Sequence, residues 1–445
     1  MASPETSQLL QLYQKAAPAS FFEQICAEQD YHFRQRVYTL AVVVWLMMYQ
    51  RLQRNRTLGA AVQFLLQGHA DRLLSPCKRV VQRQISANAA GYCQARQELP
   101  TLVASAVTDR LVDQLRHEMQ EGWPGLQRPV MLIDGTTLQL RHEAELLERF
   151  PPGHNQHGEN HWPVLQLVVF HDVYSGLCLR PSWGAMYGEK AVSEQAMALE
   201  ALGRVPDDAV VLTDCNFGIF YFAWGVQQSG RAMIFRLTEA RAHKILGETP
   251  YAGMSRQVVW EPSDHERRTH PQLPAGACVQ GRVVVCLHPG RSGELLYLFT
   301  SLELAYEEIV SMYQLRWNVE TDLRSLKRTV ALHQIQSQSV DLVEKEILLA
   351  VSAYNLVRAV MCLAARRAEL TPRQLSFAFV QTAVEAALPG LTSAASPAEY
   401  DRRLERLLDI AVQGKLPQRS HRRTYPRRVW GRGATFPRQP GPGKK

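Results

Sequence analysis

The sequence predicts an α/β protein: a mixed sheet with helices on both faces, interrupted by a β-rich insertion and flanked by helical regions. Three short apolar runs alternate with stretches of helical periodicity and predict buried strands. Further β-branched runs, separated by turn clusters, predict the insertion. Apolar residues at helical spacing predict the flanking helices. The strand runs lie at residues 130–133, 209–213 and 233–237, and the insertion spans 241–302.

The first 125 residues form a predicted helical domain. Lys78, Arg79 and Arg83 precede a short helix here, and these residues by themselves indicate a plain helical bundle with solvated arginines. Its longest apolar run, residues 40–49, is too short to span a bilayer and predicts a buried helix. The N-terminus carries no basic stretch of the kind that opens a signal peptide. We therefore expect a cytoplasmic protein without a membrane partner.

Charge and cysteine content narrow the class of protein. The chain of 445 residues has a formal net charge of +8, and residues 415–445 contain Lys and Arg but neither Asp nor Glu. Such a tail favours a polyanion, and a disordered, solvated segment is compatible with that reading. The eight cysteines form no Cys-x-x-Cys pair. They predict reduced core thiols and not a zinc site or a disulfide framework.

Two aspartates follow the first two apolar strands. Asp134 comes after residues 130–133 and before Gly135, and Asp214 comes after residues 209–213. Acids at the ends of buried strands commonly mark a site in an α/β fold. For Asp134 the alternative is an ordinary Asp-Gly turn.

The segment between these aspartates holds a His-rich connection and a predicted hairpin. His154, His157 and His161 have loose spacing among Pro and Gly, so a mobile loop near a ligand is favoured over a metal site. Residues 164–173 and 177–179 then predict two strands joined by a turn.

Residues 313–327 predict one helix with an unusual polar stripe. Tyr313, Arg316, Glu320 and Lys327 fall within about 60° of one another when residues are placed about 100° apart. A stripe of this kind suits a carboxylate metal ligand flanked by phosphate ligands. The alternative is an amphipathic helix with an internal Arg–Glu pair. The neighbouring charges, Asp322, Arg324 and Arg328, are scattered as on a solvated face.

The spacing Tyr-x2-Arg-x3-Glu-x6-Lys resembles the YREK signature of the DDE transposases of the insertion-sequence 4 family. This resemblance implies a ribonuclease-H-like catalytic core in which Asp134, Asp214 and Glu320 form the catalytic triad. These carboxylates would bind two Mg²⁺ ions, for which Mn²⁺ can substitute. Arg316 and Lys327 would contact DNA phosphates, and Tyr313 would bond a phosphate or stack on a nucleotide.

Two further features qualify the resemblance. Trp260, in the insertion, corresponds to an aromatic residue that can hold a flipped base, although a core tryptophan is the favoured reading. Cys215 and Asn216 follow Asp214, where the family often has Arg and Gly, which puts a phosphate contact at position 215 in doubt. After Lys327, Tyr354, Asn355 and Arg358 are polar residues on an otherwise apolar helix, and we expect them to brace the catalytic layer.

The resemblance also implies the domain organisation and the function. We expect a transposase that binds the inverted repeats of its element, cleaves DNA by two-metal hydrolysis and joins the 3′ ends to target DNA. Its partners would be double-stranded DNA and a second copy of the chain, in a prokaryotic, nucleoid-associated setting. A non-catalytic DNA-binding descendant of a transposase, or a ribonuclease-H-like nuclease without strand transfer, are the alternatives. The resemblance implies that the N-terminal domain (1–125) contacts the DNA of the element ends. The other expected divisions are the first catalytic part (126–240), the insertion (241–302), the second catalytic part (303–335), a C-terminal helical region (336–414) and the basic tail (415–445).

Overall fold

The computed structural model of the chain describes residues 13, 15–28, 30–31, 36–119, 128–155, 158–288 and 293–417. Residues 1–415 cluster into one compact unit and residues 416–445 into another. Of the basic tail predicted at 415–445, all but the first three residues lie outside the described residues, as does His157.

An eight-stranded sheet organises the first unit. Its order is β5-β4-β1-β6-β7-β10-β9-β8, and β2 and β3 form a separate two-stranded ribbon. The strands are β1 (Val130–Gln139), β2 (His154–Asn155), β3 (Gly158–Glu159), β4 (Val164–Asp172), β5 (Ser182–Ala185), β6 (Val210–Thr213), β7 (Ala232–Leu237), β8 (Ser255–Trp260), β9 (Val279–Leu287) and β10 (Leu295–Thr300).

The helices fall into an N-terminal group, a group within the sheet region and a C-terminal group. They are α1 (Ala19–Glu28), α2 (Leu40–Leu52), α3 (Leu58–Leu66), α4 (Lys78–Val81), α5 (Ala90–Glu98), α6 (Thr101–Glu118), α7 (Ala144–Arg149), α8 (Glu194–Glu200), α9 (Phe220–Gln228), α10 (Glu239–Leu246), α11 (Asp264–Thr269), α12 (Tyr306–Gln314), α13 (Asn318–Arg324), α14 (Val340–Arg367), α15 (Phe377–Thr392) and α16 (Pro397–Gln413).

The first five strands of the sheet have the ribonuclease-H-like arrangement. β5, β4 and β1 pair antiparallel as a meander, and β1, β6 and β7 pair parallel. Parallel neighbours need a crossover, and α9 supplies the one between β6 and β7. β6 is wholly buried, β7 is largely buried, and β1 is buried over its first four residues, as expected where helices cover both faces of the sheet. The predicted fold class is confirmed.

The β-rich insertion continues the catalytic sheet. β10 pairs antiparallel with β7, β9 with β10 and β8 with β9. These three strands fall where the β-branched runs predicted them. They cover the edge that β7 would otherwise leave open.

A long buried helix joins the N-terminal helices to the sheet region. α14 has 28 residues and packs against α6, α2, α15 and α16. In the described part of the chain it is the helix long and apolar enough to cross a membrane, but 94% of its most apolar stretch is buried inside the protein. It therefore serves as the central core helix of the unit.

Three local expectations differ from the structure. β1 does not end before Asp134 but runs on to Gln139, because β4 continues to pair with it up to Val164. Residues 177–179 are predicted to form the second strand of a hairpin, but Cys178 makes an isolated bridge to His171. The next strand along the chain that pairs with β4 is β5. The His-rich connection holds α7 and the β2–β3 ribbon among its described residues.

Candidate active site

Asp134 and Asp214 lie at matching positions on neighbouring parallel strands. The last paired residues of β1 and β6 are Leu132 and Leu212, and each aspartate comes two residues later. β6 stops at Thr213, so the side of β1 that faces β6 is free of strand pairing from Asp134 onward. Two carboxylates therefore meet at the carboxyl end of β6, where ligands bind in open α/β sheets.

The surroundings of Asp134 favour its neutral form. Burial and the negative charge of Asp214 raise the pKa of Asp134 to about 6, and Glu194 adds to the rise. The Arg316 guanidinium and the Gly135 backbone N–H, which donates to Asp134 Oδ1 at 2.8 Å, oppose it. Burial first, and the neighbouring acids second, disfavour the negative charge of Asp134, and a bound cation would stabilise that charge.

Residues 306–329 are helical throughout, but the turns are not uniform. α12 passes through a 3₁₀ turn (Leu315–Trp317) into α13, which continues as a π turn (Ser325–Thr329). In the wide turn the Val330 N–H donates to the Ser325 carbonyl, five residues back, at 3.0 Å. The prediction of one regular helix is therefore right in extent and wrong in detail. Turns of this kind often occur at functional sites.

Arg316 connects this helical segment to β1. Its guanidinium lies 4.0 Å from Asp134 Oδ2 and donates to Glu320 Oε1 at 3.3 Å. The Arg316 side chain is 13% exposed, whereas that of Glu320 is 59% exposed. Arg316 is thus the cation that both Asp134 and Glu320 contact. The Arg–Glu pair expected for an ordinary amphipathic helix is present as well.

Lys327 anchors the same segment to the strand beside Asp134. Its ammonium donates to Thr136 Oγ1 at 3.0 Å and to the Thr137 carbonyl at 2.8 Å. Burial, with a contribution from Arg328, lowers the pKa of Lys327. Both bonds go to β1 just after Asp134, so this lysine fixes the helical segment over the catalytic strand.

Tyr313 is almost completely buried, and among the described residues its hydroxyl finds no hydrogen-bond partner. Its ring packs edge-on against Trp317 with centroids 6.0 Å apart. Burial raises the pKa of Tyr313, and the charges that act on it include Arg316, Arg236 and Asp214. The hydroxyl therefore lies near the site with its donor and acceptor unused.

Trp260 lies at the end of β8, on the insertion, and is 5% exposed. Its ring packs edge-on against Phe299 at 5.2 Å and Phe220 at 5.9 Å. This is the packing of a core tryptophan, the reading that the sequence favoured. The role of Trp260 in holding a base stays a prediction.

The donor set suits a hard divalent cation, although the acids do not yet converge. Mg²⁺ prefers carboxylate oxygens and retains waters, so a few carboxylates suffice. Asp214 and, less strongly, Glu194 act on Asp134 as like charges, and Arg316 opposes them. Among the described residues, no three His, Cys, Asp or Glu side chains stand close enough to hold a metal ion. Glu320 is held by Arg316, and its side chain is 59% exposed.

Sequence reasoning missed a pair of residues next to the two aspartates. Glu194, the first residue of α8, lies over Gly135, and a Cβ built on Gly135 would stand 2.0 Å from Glu194 Oε1. Asn216 donates to Glu194 Oε2 at 2.5 Å, and its backbone N–H donates to Asp214 Oδ1 at 2.9 Å. Gly135 is therefore not part of an Asp-Gly turn; it is a strand residue paired with Val168 that leaves room for a carboxylate. The glycine after Asp134 was the one available signal.

The sequence also misjudged Asp322, which is fully buried and not part of a solvated face. Arg373 donates to both of its oxygens at 3.0 and 2.9 Å, and Arg358 bonds to Oδ1. Burial alone would raise the pKa of Asp322, but Arg373 and Arg358 outweigh it and lower the pKa. Arg358 thus braces the catalytic layer as predicted.

Known proteins place this geometry in a family. Residues 125–356 match the family described as "Transposase DDE domain". The chain is 26% identical over 420 residues to the transposase InsG for insertion sequence element IS4 of Escherichia coli (strain K12), covering 92% of this chain and 88% of that protein. A solved structure of the piggyBac transposase synaptic complex with hairpin DNA aligns with a TM-score of 0.45 and 11% identity, covering 93% of this chain and 86% of that one. That likeness is too distant to carry an argument.

The match spans both aspartate-bearing strands, the insertion and the Glu320 helix. One family therefore accounts for both features: the two aspartates beside the end of the β1–β6 ladder, and the helix with the YREK signature. This chain belongs to the DDE transposases of the insertion-sequence 4 family.

Proposed function

We propose that this protein binds the terminal inverted repeats of its own element, cleaves the DNA by metal-dependent hydrolysis and joins the 3′ ends to target DNA by cut and paste. One observation carries the proposal: Asp134 and Asp214 each lie two residues beyond the last pair of the parallel β1–β6 ladder, and the helix of Glu320 is tied to β1 by Arg316 and Lys327. Family membership supports the same reaction class.

In this proposal Asp134, Asp214 and Glu320 are the metal ligands. Two divalent cations, Mg²⁺ or Mn²⁺, would activate the attacking oxygen and stabilise the leaving oxygen. Asp134 and Asp214 are already neighbours, whereas Glu320 is bonded to Arg316. A DNA phosphate that attracted Arg316 would release Glu320 toward the aspartates, so binding of DNA and completion of the ligand set would be linked.

Arg316 and Tyr313 are the strongest candidates for phosphate contacts. The Arg316 fork suits a phosphate, and no residue in the described part of the chain bonds to the Tyr313 hydroxyl. Lys327 already donates two hydrogen bonds to β1, so at most one donor of its ammonium is left for DNA. We assign it positioning of the helix first and phosphate contact second.

The partners follow from the family resemblance. Double-stranded DNA, as element ends and as target, is the proposed substrate, and a homodimer on that DNA is the proposed assembly. InsG is the transposase of a bacterial insertion sequence. We accordingly place the protein in the prokaryotic cytoplasm, associated with the nucleoid.

The test is a cleavage and strand-transfer assay with Mg²⁺ on the element's own end sequences, taken from the DNA that flanks the gene. Glu320→Gln keeps the shape of the side chain and removes the ligand charge, and we expect it to slow cleavage by about a thousandfold while end binding persists. Glu307→Gln, an exposed acid in the first turn of α12, is the matched control and should cut like wild type.

The products distinguish the alternatives. Joined target DNA that requires both metal and Glu320 supports the transposase. Breaks without joining would indicate a ribonuclease-H-like nuclease. Tight end binding with no chemistry from wild type would indicate a non-catalytic DNA-binding descendant.

A further inference from the structure

We propose that Glu194 is a positioning residue of the active site, which acts by holding Asn216 so that the Asn216 backbone N–H orients the Asp214 carboxylate. The inference rests on the proposed function, because it assigns a role at the same site. Glu194 belongs neither to the Asp/Asp/Glu triad nor to the YREK signature.

The first step of the argument is the contact chain. Asn216 Nδ2 donates to Glu194 Oε2 at 2.5 Å, and Gln195 Nε2 donates to the Asn216 carbonyl at 2.7 Å. The first two residues of α8 therefore hold both the side chain and the backbone of Asn216. The N–H of Asn216 in turn donates to Asp214 Oδ1 at 2.9 Å. Fixing Asn216 fixes one oxygen of a proposed metal ligand.

The second step is the room made for Glu194. Its carboxylate lies where a Cβ at position 135 would be, with Oε1 at 2.0 Å, Cδ at 2.2 Å and Oε2 at 2.7 Å from that point. Because Gly135 is in the middle of β1, the strand passes the Glu194 carboxylate without a side chain on that face. Any other residue after Asp134 would push Glu194 off Asn216.

The third step separates positioning from stability. Asn216 is exposed and Glu194 is half-buried, so the bond between them contributes little to the free energy of unfolding. Its effect is to select one geometry of the loop after Asp214. Residues that orient metal ligands are typically worth 10- to 100-fold in metal affinity or activity.

Two substitutions of Glu194 test the role. Glu194→Gln keeps an oxygen that can accept from Asn216, whereas Glu194→Ala removes it. We expect Glu194→Ala to weaken Mn²⁺ binding by the full-length protein about 10- to 100-fold and Glu194→Gln to remain within about threefold of wild type. Glu200→Ala, at the exposed end of α8, is the matched control and should bind Mn²⁺ like wild type.

A double-mutant cycle tests the packing. Gly135→Ala should weaken Mn²⁺ binding as Glu194→Ala does, and the double variant should be no worse than either single one, because both displace the same carboxylate. Gly203→Ala, where a new Cβ meets no atom within 4 Å, is the control for the glycine substitution. Urea unfolding of each variant shows whether it is folded when Mn²⁺ is titrated.

The outcomes separate this inference from the proposed function. Wild type that neither binds Mn²⁺ nor cuts DNA would contradict the proposed function itself. Wild type that does both, beside a Glu194→Ala variant that also does both unchanged, would overturn the inference alone. Equal losses in Glu194→Gln and Glu194→Ala would overturn it too, since they would show that the charge and not the hydrogen bond matters.

Discussion

Two clusters of acids and arginines lie on the helical segment that carries Glu320, and their charge balance is opposite. In the active site, Arg316 is the cation that contacts Asp134 and Glu320, and Asp214 stands beside Asp134. Two residues after Glu320, Asp322 is fully buried with two arginines, Arg358 and Arg373. Acids are in excess in the first cluster and cations in the second.

The difference distinguishes a candidate cation-binding site from an ion-pair cluster that stabilises the fold. The pKa of Asp134 is raised to about 6, so the negative charge of its ionised form is not fully compensated by nearby positive charge. The pKa of Asp322 is lowered because its arginines outweigh the effect of burial. A perturbed acid near other acids is a candidate site, whereas a satisfied buried ion pair is a structural element.

The largest effect that we expect is on stability, at Asp322. Asp322→Asn keeps the shape of the side chain and leaves Arg358 and Arg373 without a counter-ion in the interior, which should lower the free energy of unfolding by about 3–5 kcal/mol. Urea denaturation of the full-length protein measures it. Asp409→Asn, which breaks an exposed ion pair with Arg367, should cost less than about 1 kcal/mol. Similar losses in the two variants would erase the distinction between the clusters.

A pH series should reveal the opposite sign at Asp134. Its folded pKa of about 6 lies above the ordinary value of 3.8, so the folded state binds the proton more tightly. Ionised Asp134 thus destabilises the metal-free protein above about pH 6, by up to roughly 3 kcal/mol, and the penalty disappears as the pH falls below about 4.

Asp134→Asn removes this penalty. The free energy of unfolding of the variant, relative to wild type, should therefore rise between about pH 4 and pH 6 and level off above. Urea denaturation at each pH without divalent metal measures the difference. Added Mg²⁺ should stabilise wild type more than the variant. A difference that is independent of pH would show that the folded protein does not raise the pKa of Asp134.

The smallest effect is expected at Arg316, which now occupies the place of a cation. In Arg316→Ala, nothing competes with a metal ion for Asp134 and Glu320, so Mn²⁺ should stabilise the variant more than wild type, by up to about 1 kcal/mol. Thermal unfolding across a Mn²⁺ titration measures this, with Arg316→Lys as the variant that keeps the charge. DNA cleavage by Arg316→Ala should fall at the same time, because the phosphate contact is lost. Equal metal stabilisation in all three proteins would mean that Arg316 does not stand in for a cation.

The sequence predicted the parts of this site that follow local rules. An apolar run followed by an acid predicted Asp134 and Asp214, because parallel strands that are buried on both faces have nearly continuous apolar sequences. Fixed spacing on a helix located Tyr313, Arg316, Glu320 and Lys327. The order of strands and helices predicted the ribonuclease-H-like sheet, and family membership is consistent with it.

The rest depends on contacts between distant segments. Asp322 looks like a surface charge because its arginines come 36 and 51 residues later. Glu194 is an ordinary first-turn acid until β1 and α8 are brought together at Gly135. The extent of β1 was underestimated because the pairing of its polar half depends on β4 and not on its own apolar residues.

The buried Asp322 cluster also depends on residues that are translated late. The carboxylates proposed to cut DNA are all present once the ribosome has passed Glu320, but the arginines that seat the neighbouring Asp322 arrive only at Arg358 and Arg373. The family match ends at residue 356, before both. A nascent or truncated polypeptide that stops there has all three proposed metal ligands. Asp322, in the helix of Glu320, would lack the two arginines that pair with it. The Asp322 cluster is therefore complete only after Arg373 has been translated.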